Sequence, residues 1–491
     1  MGNIFINVNS NVPPPVWNRS QHAQKYLVLD MASQPAETSQ YSNTSTHSYS
    51  PASPATLAYP SIQALTASMT ALMPQSLPVY STTLANPYDL PQMVTLFLDL
   101  YYKRHEMAKD PLTPGNEHPG WRALLPRWLG HSPVLDSAIG ALAASFVGMK
   151  YQDESLVNKG RDMYLKALQM VQQALPEPSS TRWDLLATTL VMSSTELFLG
   201  NGGGPSQLTH IEGATRLLHN SIGQVGSEEL YTYILNQGLW EALCTRRPYV
   251  FSLPAYRPLV RQIFSAPRTS RNHAFFQWSE IIVPLPNILN AIDTLASSAT
   301  NASASTSRTP AALSILQDIA MLEQVIAPWY ERLKATTAGP WAVPASQIIP
   351  DSVPFPLKFV SIEACTLYCL HWTSQLLILE ARRTLYSHLS HSQLPQYSDH
   401  NTMLAQMTEY ASLICRSVQF CTQGASYAAT ENMFLPLFTV ASYYMRQGDE
   451  ERKQWCLGAF TKIAVEQKIG FAAEMLDLVE RRIVVQEAFT F

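Results

Sequence analysis

Charge is scarce in this chain. Asp, Glu, Lys and Arg make up 14% of its 491 residues, against roughly 25% in an ordinary globular domain. The formal net charge is −4 and the pI ≈ 6.3. A nucleic-acid-binding domain normally concentrates Lys and Arg on one face, where they displace counterions from phosphates. Here the basic residues come as isolated pairs, Lys103-Arg104, Arg246-Arg247, Arg382-Arg383 and Arg481-Arg482. Such pairs read as ion-pair partners or solvated helix faces. Long apolar runs are missing too. The best stretch, Ser137 to Met149, ends at Lys150 and falls short of the ~18–20 residues that span a bilayer. No secretory leader is visible in Met1 to Pro15, which lacks a basic start and an apolar stretch. The chain therefore reads as soluble and intracellular, with no membrane partner.

Cysteine is absent before Cys244. The six present are Cys244, Cys365, Cys369, Cys415, Cys421 and Cys456. In a reducing compartment they do not imply a disulfide framework. Cys365 and Cys369 come near a zinc-ligand spacing. Both lie on the apolar stripe of their own helix, and a free cysteine packs as a small hydrophobe, so core packing is the reading. Catalytic signatures are missing as well. The glycines at 200–204 follow a helix and precede no lysine, unlike a phosphate loop. His105-Glu106 has no second histidine four residues on, and no Gly-x-Ser-x-Gly elbow exists. No catalytic, cofactor-binding or metal-ligating residue is assigned, no cofactor is expected, and the chain is not expected to be an enzyme.

What is present is apolar residue at helical spacing. Hydrophobic residues reach 46%, enough for a large core. From Met31 to Tyr88 there is one charged residue, Glu37, among Ser, Thr, Pro, Gln and Ala. Such a composition cannot bury enough surface to offset chain entropy, so residues 1–88 are expected to be a disordered Ser/Thr/Pro-rich segment. Residues 89–491 are expected to be one helical domain. Met93, Leu96, Phe97, Leu100 and Tyr101 share a face, as do Leu135, Ile139, Leu142 and Phe146. Tyr164, Leu168, Val171 and Leu175 make a third stripe. Trp183 to Leu199 is apolar on almost every side, as in a central helix. Ile211, Ala214, Leu218 and Ile222 mark the next.

The C-terminal half repeats the pattern. Ile362, Cys365, Cys369, Trp372, Leu376 and Leu379 are spaced 3, 4, 3, 4, 3, and Leu404 to Cys421 matches them. Both predict seams of antiparallel helices. Stripes at Leu457, Phe460 and Ala464, and at Leu476, Val479 and Ile483, predict two closing helices. Segments 297–310 and 387–402 read as polar loops. The proline-rich middle, Pro248 to Pro286, resists assignment. No alternating strand pattern of useful length occurs. The fold class is all-α, a multi-helix antiparallel bundle or array with a disordered N-terminal segment.

Several segments then carry a resemblance. LFLDLYYKRH at 96–105 resembles the entry helix of the fungal-specific transcription factor domain, the regulatory domain of the fungal zinc-cluster transcription factors. HSPVLDSAIGALAASFVG at 131–148 and MYLKALQMVQQAL at 163–175 resemble its next elements. RWDLLATTLVMSSTELF at 182–198 resembles its buried helix with an internal glutamate. HIEGATRLL at 210–218 is the sharpest match, with His210, Gly213 and Ala214 in a His-x-x-Gly-Ala pattern. ASYYMRQGDEERKQWCLGAF resembles a late helix pair. The resemblance covers about residues 90–491. It implies a nuclear transcriptional regulator, with effector sensing, self-restraint and partner contact as the domain's tasks. The partners it admits are a DNA-binding protein or the transcription machinery, a second copy in a homodimer, and a small-molecule effector. One departure bears on mechanism. The family's six-cysteine binuclear zinc cluster has no counterpart here, and Met1 to Asp30 holds only Arg19 and Lys25 as basic residues. Direct DNA contact is not expected of residues 1–491. A DNA-binding partner, loss of the cluster, and a missed upstream exon all remain open, as does an adaptor or scaffold role for the same helical domain.

Overall fold

The computed structural model describes residues 89–102, 120–175, 182–199, 206–221, 228–265, 273–297, 305–343, 353, 355–389, 400–422, 426–473, 475 and 479. The expected disorder of 1–88, the proline loop at 111–119 and the glycine run at 200–204 lie outside them.

Helices dominate because apolar residues recur at helical spacing and capping residues stand at their starts. The first is α1 (Leu90–Tyr101), with Met93, Val94, Phe97, Leu98 and Tyr101 buried. The buried face includes Val94 and Leu98 in place of the expected Leu96 and Leu100, which are half-buried. A 3₁₀ turn (Trp121–Leu124) and α2 (Leu125–Trp128) follow. Next come α3 (Pro133–Tyr151) and α4 (Glu154–Ala174). Ser132 and Asp153 cap them by accepting from the backbone N–H of Leu135 and Leu156. Helices α5 (Arg182–Leu199), α6 (Ser206–Ser221) and α7 (Glu228–Thr245) complete the N-terminal half.

Helices α3 and α4 approach closely through glycines. A Cβ on Gly160 would lie 2.2 Å from Ser145 Oγ, 2.8 Å from Ser145 N and 3.1 Å from the Ala141 carbonyl. One on Gly148 would lie 2.7 Å from the Val157 backbone nitrogen. Since 148 meets 157 and 145 meets 160, the pair is antiparallel. Gly160→Ala should therefore destabilise the fold by about 1–3 kcal/mol through overpacking, against a helix-propensity gain of about 1. Gly213→Ala is the contrast. A Cβ there meets nothing within 4 Å, so that change should stabilise by up to about 1 kcal/mol. Thermal melts of both variants test the pair. The structure gives no packing reason for glycine at 213.

The proline-rich middle is helical after all. Two 3₁₀ turns (Val250–Ser252 and Pro254–Tyr256) lead into α8 (Arg257–Ser265), α9 (His273–Ile282) and α10 (Leu285–Ser297). Pro254, Pro258 and Pro286 sit in first turns, where the missing N–H has no intrahelical partner to lose. Helix α11 (Ser305–Thr336) begins inside the segment expected to be a loop to 310. Its length and composition would let Thr309–Thr336 cross a bilayer, which the reading of apolar runs missed. Ala312, Ile319, Leu322, Ile326, Trp329 and Leu333 are buried against α9, α10 and the following helix α12 (Ile362–Tyr386), while Leu313, Met321 and Val325 are exposed. Its Glu323 pairs with Arg382.

Two short strands, β1 (Trp341–Ala342) and β2 (Leu357–Lys358), pair antiparallel. The expected cysteine seams follow in α12 and α13 (His400–Thr422). Cys365 Sγ stands 3.3 Å from Cys421 Sγ and the His371 ring 6.3 Å from Tyr410, so these helices run antiparallel. All six cysteines are buried and free. Helices α14 (Tyr427–Glu431), α15 (Phe434–Gln447) and α16 (Glu450–Gln467) follow. Gly448, at φ +67, ends α15 and Asp449 caps α16. The buried stripe of α16 is Cys456, Phe460 and Ile463, not the expected 457, 460, 464. Val479 is buried; Leu476 and Ile483 lie outside the described side chains.

Short α14 joins the two halves. Its Tyr427 ring packs 4.9 Å from Phe146 of α3 and stacks 6.1 Å from Tyr101 of α1.

Candidate functional site

Where α1, the first 3₁₀ turn, α5 to α7, α9, α12, α14 and α15 meet, they line a partly open cavity of about 250 Å³. A cavity of ~150 Å³ takes a benzene ring, so this one suits a molecule of roughly ten to fifteen non-hydrogen atoms. Much of the wall is aromatic, with Trp121, Tyr233, Trp240, Phe275, Phe276 and Phe434 among its residues.

One end of the wall is a charged knot. Arg122 is buried at 5% exposure. Its Nε donates to Ser194 Oγ of α5 at 2.8 Å. Its guanidinium reaches Glu431 Oε2 of α14 at 3.1 Å and lies 4.8 Å from the Tyr101 and Trp121 rings. Tyr101 Oη donates to Glu431 Oε1 at 2.7 Å. Burial pushes the Glu431 carboxyl up, and the guanidinium beside it opposes that rise. Burial also raises Tyr101 well above the usual phenol value. The knot thus ties the first helix to the fourteenth through one desolvated ion pair.

The other end lies between α6 and α7. A Cβ on Gly238 would lie 2.5 Å from Thr215 Oγ1, which sets these helices side by side. Glu241 of α7 is 8% exposed. Among the described residues its carboxylate accepts one hydrogen bond, from Thr245 Oγ1 at 3.1 Å. Burial first, then the negative Glu212 nearby, pushes its pKa up to about 7. Trp121 Nε1, Trp240 Nε1 and Gln207 Oε1, all on wall residues, are buried without a hydrogen-bond partner among the described residues.

The resemblance motifs meet beside this cavity. Tyr164 of α4 donates to Glu196 of α5, and its hydroxyl lies 2.6 Å from His210 Nε2 of α6. His210 stands 3.8 Å from Glu196. The tyrosine, the internal glutamate and the histidine of three separate segments thus form one buried cluster. It fixes α4, α5 and α6, from which Leu197, Gln207, Leu208 and Ile211 line the cavity. Glu212 lies in the second turn of its helix and pairs with Arg216 and Arg247.

In the two basic pairs that lie among the described residues, Arg246, Arg247 and Arg382 form ion pairs. Arg246 holds Asp293 at 2.6 and 2.7 Å. Arg383 donates to Gln447 Oε1 at 3.2 Å. Lys103-Arg104 and Arg481-Arg482 lie outside the described residues. No group of three or more His, Cys, Asp or Glu able to hold a metal ion occurs among the described residues.

Sequence reading assigned no site residue, and Arg122, Glu431 and Glu241 escaped it. Each is a single charged residue in an apolar stretch, and its environment comes from far along the chain. The only signal was that isolation.

The fold and site define an all-helical domain with a partly open, largely aromatic cavity at the meeting of its helices. The fungal-specific transcription factor domain matches residues 101–481. The chain belongs to that family, and a role in transcriptional regulation follows from membership. Searches of curated proteins and of solved structures found no match.

Proposed function

We propose that the protein is a nuclear regulator of a metabolic pathway that acts through its helical domain and is brought to promoters by a DNA-binding partner. The observation that carries this is the family match across residues 101–481. Residues 89–491 act as the regulatory domain, and residues 1–88 as a polar segment ahead of it. Two things within residues 1–491 support recruitment by a partner. The six cysteines are buried in the helical core, and the described basic pairs are occupied by acidic or amide partners.

Transcript profiling of a deletion strain tests the proposal. A coherent gene set should change and should recover when the chain is restored. An unchanged transcriptome, with the tagged protein held outside the nucleus among stable cytoplasmic partners, would replace this reading with that of an adaptor.

A further inference from the structure

The cavity wall is unbalanced in charge and in hydrogen bonding. Among the described residues it carries three carboxylates, Glu241, Glu363 and Glu431, and one basic side chain, Arg122. Arg122 is committed to Glu431. Glu363 sits in the first turn of α12, where the helix dipole favours a negative charge. Glu241 has neither compensation. Thr245 is its one hydrogen-bond donor, and it forms no ion pair among the described residues. Gln207 of the neighbouring helix adds a second acceptor. It is 7% exposed, and its Oε1 has no donor among the described residues. A carboxylate with a single donor and an amide oxygen with none therefore share the α6–α7 wall, while the indole N–H groups of Trp121 and Trp240 stand on the wall without acceptors. Around the same cavity stand the faces and edges of Trp240, Tyr233, Phe275 and Phe276, and electron-rich rings attract cations.

We propose that the cavity binds an organic amine in its cationic form, carried on an aromatic or apolar body of about ten to fifteen non-hydrogen atoms, with Glu241 as its counter-charge. The ammonium supplies a counter-charge to Glu241 and N–H donors to it and to Gln207, and the rings line the space for the body. Among the described residues the one arginine on the wall is already paired with Glu431, so the charge balance there disfavours a carboxylate ligand. The groups facing Glu241 are Glu212 and Arg216 of α6, and Arg247 and Tyr249 beyond the end of α7. Glu212 is itself held by the two arginines, so none of these supplies Glu241 with a direct partner.

This site has its own proton signature. At about pH 6 the unliganded carboxyl is largely protonated, because burial holds it up to about 7. Seating a cation against it releases roughly one proton per molecule bound. At about pH 8 the release vanishes.

The test is titration calorimetry of the purified full chain with tryptamine and phenethylamine, in two buffers of different ionisation enthalpy. Indole-3-propionate, a similar ring bearing a carboxylate, is the control. The amines should bind with the proton release described, and indole-3-propionate should not. Glu241→Gln should weaken tryptamine by about tenfold or more and remove the proton release, while its melting temperature at neutral pH does not fall. Failure of both amines to bind, equal binding of indole-3-propionate, or unchanged affinity in Glu241→Gln would overturn the proposal. The readout is on isolated protein, so these outcomes leave the transcriptional role untouched, and a silent transcriptome would leave the cavity chemistry untouched.

Discussion

Arg122→Met is expected to lower the unfolding free energy by roughly 3–5 kcal/mol, because it strands Glu431 in the core. The arginine holds Ser194, Glu431 and the Tyr101 and Trp121 rings at once. Without it, Glu431 keeps one hydrogen bond, from Tyr101, and must protonate or draw water inward. A surface arginine removed in the same way would cost about 0–1 kcal/mol. The difference lies in burial: the two side chains are 6% and 17% exposed. Adding Glu431→Gln to Arg122→Met should restore most of the loss, since a neutral amide needs no counter-charge. Chemical denaturation of the three variants checks this. Equal stability of Arg122→Met and wild type would mean that the pair is not desolvated.

The second large effect is a pH response with two opposed parts. His371 of α12 is 3% exposed. It stacks on the Tyr330 ring at 3.5 Å, and its Nδ1 has no hydrogen-bond partner among the described residues. Burial, helped by nearby Lys334, drives its pKa from 6.5 down to about 3. The unfolded chain therefore binds a proton that the folded one refuses. This group's contribution is complete above pH 6.5 and is lost as pH falls toward 3, by roughly 5 kcal/mol in all. Glu241 works the other way. Its folded pKa is raised from 4.5 to about 7, so its contribution is complete below 4.5 and is lost as pH rises to 7, by roughly 3 kcal/mol. Between about pH 4.5 and 6.5 the two slopes oppose each other. Variants separate them. The stability of His371→Phe minus that of wild type should grow as pH falls below 6.5. The same difference for Glu241→Gln should grow as pH rises from 4.5 to 7. Urea titrations across this range give both curves, and a flat difference would show that the group is solvated.

Most helices were legible because one face of each is apolar at a 3.6-residue period. Leu135, Ile139, Leu142 and Phe146 are all buried in α3, and Cys365 through Leu379 form the buried seam of α12. Where the period failed, the reason is physical. Helix α7 buries Leu230, Thr232, Ile234, Leu235, Leu239 and Glu241 among others. That spread covers most of its circumference, so no stripe shows. In the middle of the chain, prolines that normally break helices stand at helix starts. The site was less legible still. Tyr164, Glu196 and His210 were each visible inside a motif, yet only the packing of three helices brings them together. Arg122 and Glu431 offered no local pattern, because a desolvated ion pair is a property of the folded core. Gly160 carries no signal in the sequence, and only the folded structure shows that α3 and α4 approach closely there.

The central claim is that this helical domain works at genes, and chromatin occupancy of the tagged chain, expressed from its own locus, tests it most directly. Discrete promoter peaks are expected, lying over the binding motif of the DNA-binding partner and disappearing when that partner is deleted. An even, unenriched signal with the protein confined to the cytoplasm would contradict the claim.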